Sequence, residues 1–76
     1  MIHVMLFGQL ADLAGTGSLE VDDVADTAAL QQQLHRRIPA LAGATYRIAV
    51  NKTVVTQNTH LTGDVTVALL PPFSGG

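Results

Sequence analysis

Residues Ile2 to Phe7 alternate within an almost wholly apolar stretch. Ile2, Val4 and Leu6 share one face, and His3, Met5 and Phe7 the other. This is the period of a β-strand whose second face is more apolar than solvent exposure requires. Gln9 to Ala14 sets Leu10, Leu13 and Ala14 at helical spacing before Gly15, predicting a short helix with a glycine stop. Ser18 to Asp22 turns Leu19 and Val21 inward as a second strand, paired with the first. The clearest helix runs from Thr27 to Arg37. Leu30, Leu34 and Ile38 make its apolar stripe, while Gln31, Gln32, His35 and Arg36 face outward. Asp26 or Thr27 caps its start and Pro39 closes its end. Asp22, Asp23 and Asp26 at one end and Arg36-Arg37 at the other suit the helix dipole. Leu41 to Thr45 reads as a loop. Tyr46, Ile48 and Val50 alternate against Arg47 and Ala49 in a third strand. Asn51-Lys52 then turns tightly into the short strand Thr53 to Thr56, because Asn tolerates positive φ. Thr62-Gly63-Asp64 punctuates the chain before a last apolar strand, Val65 to Leu70.

One amphipathic helix with one apolar stripe covers one face of a mixed sheet, which gives an α+β roll. The first and last strands are the most apolar, so they are expected side by side at the sheet's centre. They then run parallel, with the long helix in the crossover between them. This is the arrangement of a β-grasp, or ubiquitin-like, fold of about five strands, with one main helix on one face. It forms a single domain over residues 1–70, followed by a flexible extended C-terminal tail over 71–76. The same alternation leaves Met5, Phe7, Ala68 and Leu70 on the face turned away from the helix. There they are expected to form an apolar patch beside the tail's exit, as partner surfaces do.

With 76 residues and 47% hydrophobic content, the chain is globular but has a thin core. Charged residues make up only 13%, against about 25% in ordinary soluble domains, so another protein is a natural cover for part of the surface. A net charge of −2 and the lack of any Lys/Arg run exclude electrostatic nucleic-acid binding. The absence of cysteine removes disulfides, thiolate catalysis and Cys-based zinc sites. No apolar run approaches a membrane span and no leader is recognisable, so a cytoplasmic location is expected. His3, His35 and His60 lack ligand spacing, so no metal site is expected. Gly15-Thr16-Gly17 lacks the length and lysine of a phosphate loop. Lys52 reads as a solvated turn tip, and Tyr46 as a core edge with a wet hydroxyl.

The ending Pro71-Pro72-Phe73-Ser74-Gly75-Gly76 carries the chemistry. Two prolines favour an extended polyproline path, and six residues reach roughly 18–20 Å. The two glycines lack Cβ atoms and enter passages too narrow for other residues. A terminal Gly-Gly arises by chance in about one chain in 200, so it gains its weight from the fold and the prolines around it. A bare carboxylate on such an arm can attack the α-phosphate of ATP in a partner's active site and become an acyl-adenylate. A sulfur donor can then convert it to a thiocarboxylate. This chemistry needs reach, slimness and a free carboxyl group, and no nucleophilic side chain on this chain.

Ala49-Val50-Asn51, the closing Val65-Thr66-Val67-Ala68-Leu69-Leu70 and above all the Pro-Pro-x-Ser-Gly-Gly ending resemble the small, sulfur-carrying subunits of molybdopterin synthase. The first strand, followed by Gln9-Leu10-Ala11-Asp12-Leu13-Ala14-Gly15, is similar as well. The turn Thr62-Gly63-Asp64 is leaner than the acidic turn common in that family. The resemblance implies that Gly76 is adenylated by an E1-like enzyme using ATP. A sulfur donor such as a cysteine desulfurase or rhodanese-type protein then converts it to the thiocarboxylate. It further implies that Pro71, Pro72, Phe73, Ser74 and Gly75 carry Gly76 into the large subunit, which supplies the catalytic side chains in a two-plus-two heterotetramer. There the sulfur passes to precursor Z (cyclic pyranopterin monophosphate) to build the dithiolene. Phe7, Val54 and Leu70 are implied at the subunit contact, and no bound cofactor is expected. Three rivals remain: a carrier for thiamine or another thio-cofactor, whose members usually lack the Pro-Pro stalk; a ubiquitin-like protein modifier; and a binding module whose tail is an accident.

Overall fold

The computed structural model describes residues 1–72. Its elements are β1 (Ile2–Leu6), α1 (Gln9–Ala14), β2 (Ser18–Val21), α2 (Thr27–Arg37), β3 (Arg47–Val50), β4 (Thr53–Val55) and β5 (Val65–Leu70). The strands form one mixed sheet in the order β2-β1-β5-β3-β4. β1 and β5 lie side by side and parallel, from Ile2 against Val65 to Leu6 against Leu69. The other three pairings are antiparallel. The topology expected from the two apolar strands is the one observed.

Alternation assigns each face of the sheet. In β1, Ile2, Val4 and Leu6 are buried while His3 and Met5 are exposed. In β5, Val65, Val67 and Leu69 are buried beneath α2. Leu30 and Leu34 of α2 close over them, both fully buried, and Leu10 of α1 completes the layer. Each such leucine contributes roughly 1.5–3 kcal/mol of burial. Ile38, the third member of the expected stripe, is only half-buried because the helix ends one residue earlier. Gln31 and His35, expected outward, are also half-buried. Each follows a core leucine by about 100° around the helix, which brings it over the edge of the sheet.

Three further expectations are corrected. Pro39–Gly43 is a 3₁₀ turn rather than a loop, and it drives Leu41 fully into the core. Of the three aspartates, only Asp26 acts on α2. Asp22 lies 3.8 Å from the amino-terminal nitrogen, and Asp23 occupies a turn at φ 63°. The Tyr46 hydroxyl is not left to water, because it hydrogen-bonds His35 Nε2 at 2.8 Å. Partial burial holds the Tyr46 phenol above its ordinary pKa.

The N-terminus of α2 is sealed from two directions. Asp26 Oδ1 accepts from Ala29 N at 2.9 Å, the usual cap. Asn58, far along the chain, accepts from Ala28 N at 2.8 Å and from the Thr27 hydroxyl at 3.1 Å through the same oxygen. Thr27 N donates to Thr59 O, and Leu61 N to Ala25 O. Every N–H of the first helical turn thereby finds a partner. Bonds to Ala29 N and to the Asn58 side chain hold the Asp26 carboxyl below the usual carboxylate range. The β3–β4 turn has the positive φ expected of it, 48° at Asn51 and 73° at Lys52. Asn51 Oδ1 also accepts from Thr66 N at 3.1 Å, which ties this turn to β5.

Candidate functional site: the outer sheet face and the base of the arm

The face of the sheet turned away from α2 is apolar at one end and polar at the other. At the polar end, His3 and Glu20 pair across β1 and β2 at 3.2 Å. At the apolar end, Met5 of β1 and Phe7 just beyond it are 41% and 42% exposed, and Val54 of β4 is 47% exposed. Ala68 and Leu70 of β5 lie half-buried between them. Register explains the grouping: Met5 stands opposite Ala68, Ala68 opposite Ala49, and Ala49 opposite Val54. Ala49 is 5% exposed although it faces outward, because its short side chain sits among larger neighbours. Met5, Phe7, Ala68 and Leu70, grouped by alternation, are therefore brought together on one surface with Val54, which only the resemblance implied.

This surface leads directly to the tail. Phe7 N donates to Leu69 O at 3.3 Å, extending the ladder one residue past β1. Phe7, Arg47, Val54, Leu70, Pro71 and Pro72 line a groove of about 560 Å³. Pro71 and Pro72 are half-buried against the domain, so the stalk starts from a seated base rather than leaving the sheet at once. Gly8, at φ 56°, makes room for it: a Cβ there would stand 3.1 Å from Pro71 Cγ. Phe73, Ser74, Gly75 and Gly76, which the sequence marks as the arm's tip with its reactive carboxylate, lie outside the described residues.

Arg47 is the residue that sequence reasoning passed over. Alternation within β3 does set it on the same face as Ala49. Only the pairing of β3 with β5 puts it opposite Leu70, at the base of the arm. A second hollow, about 610 Å³, lies between α2 and the β3–β4 hairpin. Its polar wall includes Thr27 and Asn58, both already committed to sealing the helix start. The three histidines are held apart, His3 on β1, His35 on α2 and His60 at an isolated bridge with Asp26. Among the described residues no group of three His, Cys, Asp or Glu is arranged to hold a metal, and no helix is long and apolar enough to cross a membrane.

A sequence model described as the ThiS family matches residues 4–76. The molybdopterin synthase sulfur carrier subunit of Escherichia coli (strain K12) is 38% identical over 81 aligned residues, covering 100% of both chains. Among solved structures, SAMP1 from Haloferax volcanii superposes with a TM-score of 0.84 at 24% identity, covering 99% of this chain and 98% of that one. The small archaeal modifier protein 1 of Methanosarcina acetivorans superposes with a TM-score of 0.83 at 24% identity, covering 99% and 95%. At this level of identity the two structures speak to the fold alone, which is ubiquitin-like.

Proposed function

The chain belongs to the ThiS family of sulfur carriers, and from that premise we propose that it is the small subunit of a molybdopterin synthase. The observation that carries the reading is its likeness, over the full length, to a protein named as the sulfur carrier subunit of that enzyme. In the proposed cycle the Gly76 carboxylate attacks the α-phosphate of ATP inside an E1-like enzyme, and pyrophosphate leaves. The terminal sulfur of a persulfide on a cysteine desulfurase or rhodanese-type donor then attacks the acyl carbon and AMP departs, leaving an acyl disulfide. A second thiol attacks the donor-side sulfur, forms a disulfide with it and releases the thiocarboxylate. From the base at Pro71 and Pro72 the end of the chain delivers it into the large subunit, whose side chains carry out transfer to precursor Z. This chain contributes positioning and cargo, binds no cofactor of its own and works in the cytoplasm, where ATP is available to the activating enzyme.

Two features of the described residues support this division of labour. The apolar outer face runs without a break into the groove at Pro71 and Pro72, so a partner covering that face also meets the arm. No cluster of perturbed acids and bases occupies the same face; the one carboxyl held low, Asp26, serves the helix cap. The likeness to archaeal modifiers concerns the fold, which carriers and modifiers share, so it adds no weight to conjugation through lysine. The reading is tested on protein purified from its own host. Intact mass should include a species in which one oxygen is replaced by sulfur, and deletion of Gly76 should abolish sulfur transfer while leaving the fold unchanged. Lysine conjugates carrying a Gly-Gly remnant, with no sulfur-bearing species, would favour a modifier instead.

A further inference from the structure

Arg47 stands opposite Leu70 on the outer face, and it borders the groove formed with Phe7, Val54, Pro71 and Pro72. It is exposed, and among the described residues its side chain makes neither an ion pair nor a hydrogen bond. The other basic side chains are elsewhere. Arg36 and Arg37 end α2, with Arg37 donating to Glu20 O at 3.0 Å, and Lys52 sits at the hairpin tip. His3 and Glu20 lie 3.2 Å apart at the far end of the same face. Among the described residues, Arg47 is thus a positive charge without a counter-charge, set into the apolar end of the face where the arm begins.

A partner that covers this surface strips water from the guanidinium, and a dehydrated guanidinium without a counter-charge is heavily penalised. A carboxylate matches its planar fork through two parallel hydrogen bonds. We propose that Arg47 is a specificity-determining residue that pairs with an Asp or Glu side chain of the large subunit, presented beside the opening that receives the arm. This rests on the function proposed above. The chain as a whole carries a net charge of −2, so general attraction does not draw an acidic partner surface to it. A single local pair fixes where that surface meets the arm, and with it the register of docking.

The competing role for Arg47 is packing alone, with its aliphatic stem covering Val54 and Leu70. Calorimetric titration of the full chain with the large subunit from the same organism, at low and high salt, separates the two. Arg47→Met retains a stem and should weaken binding by about tenfold at low salt, and Arg47→Glu by about a hundredfold. Both losses should shrink at high salt, with melting temperature unchanged. Binding of Arg47→Met within about twofold of wild type, or a loss equal at both salt concentrations, overturns the inference. Phe7→Asp serves as the control for the surface itself. If it abolishes binding while Arg47→Met does not weaken it, the ion pair alone is wrong; if it binds as wild type does, the docking surface and the inference fail together.

Discussion

The two faces of the sheet are built from the same strands and much the same residue types, yet they do different work. Leu69 is fully buried beneath α2, whereas Leu70, its neighbour, is half-buried on the open side. Leu6 and Phe7 stand in the same relation one strand away. The inner face is aliphatic and closed by leucines from both helices and the 3₁₀ turn. The outer face is also apolar at its arm end, but nothing in the described chain covers it. Hydrophobicity alone therefore does not mark a core in so small a domain. What separates the faces is whether the described chain supplies the cover, and an apolar face left open beside the base of the proposed arm reads as an interface.

The contrast can be broken most forcefully with paired substitutions. Leu69→Ala should cost roughly 2–5 kcal/mol in urea unfolding, since its site is closed on every side. Leu70→Ala should cost less than about 1 kcal/mol and instead weaken binding of the large subunit. Equal stability losses at the two positions would erase the distinction between the faces. Asn58→Ala tests the support behind the inner face: it removes a partner from Ala28 N and from the buried Thr27 hydroxyl, and should cost about 1–2 kcal/mol in the same assay. Partner affinity should not change.

The smallest effect is acid-dependent. Because the Asp26 carboxyl is held below its ordinary range in the folded chain, its stabilisation is complete above about pH 4 and is lost as pH falls through the lowered value. Asp26→Asn lacks that titration, so the stability gap between wild type and variant should narrow from pH 7 towards pH 2. A gap independent of pH would remove the charge from the cap's contribution.

Much of the fold was written in local pattern. Period-two alternation in Ile2 to Phe7 and Val65 to Leu70, and the four-residue spacing of Leu30 and Leu34, specify elements and their faces without knowledge of the rest. Asn51-Lys52 announces its turn through the backbone freedom of Asn. Contacts between distant segments left no such mark. Leu41 is one leucine in a stretch without periodicity, and its burial depends on where the 3₁₀ turn docks. Asn58 caps a helix that starts some thirty residues earlier, and the Tyr46 hydroxyl finds His35 only once β3 lies under α2. The candidate site divides in the same way. Alternation made Met5, Phe7, Ala68 and Leu70 legible and the resemblance supplied Val54, while Arg47 acquired its place from the pairing of β3 with β5, which no local signal encodes.

The placement of β5 has a mechanical consequence. The strand that bears the arm is flanked on both sides, parallel to β1 and antiparallel to β3. Tension applied from Pro71 along the strand axis loads the hydrogen bonds of both ladders together, in shear, instead of opening them one at a time like a zip. In the proposed cycle, the anchoring strand therefore holds its place while the large subunit draws the end of the chain in and releases it. The scaffold is a tether post, set where a pull is resisted best.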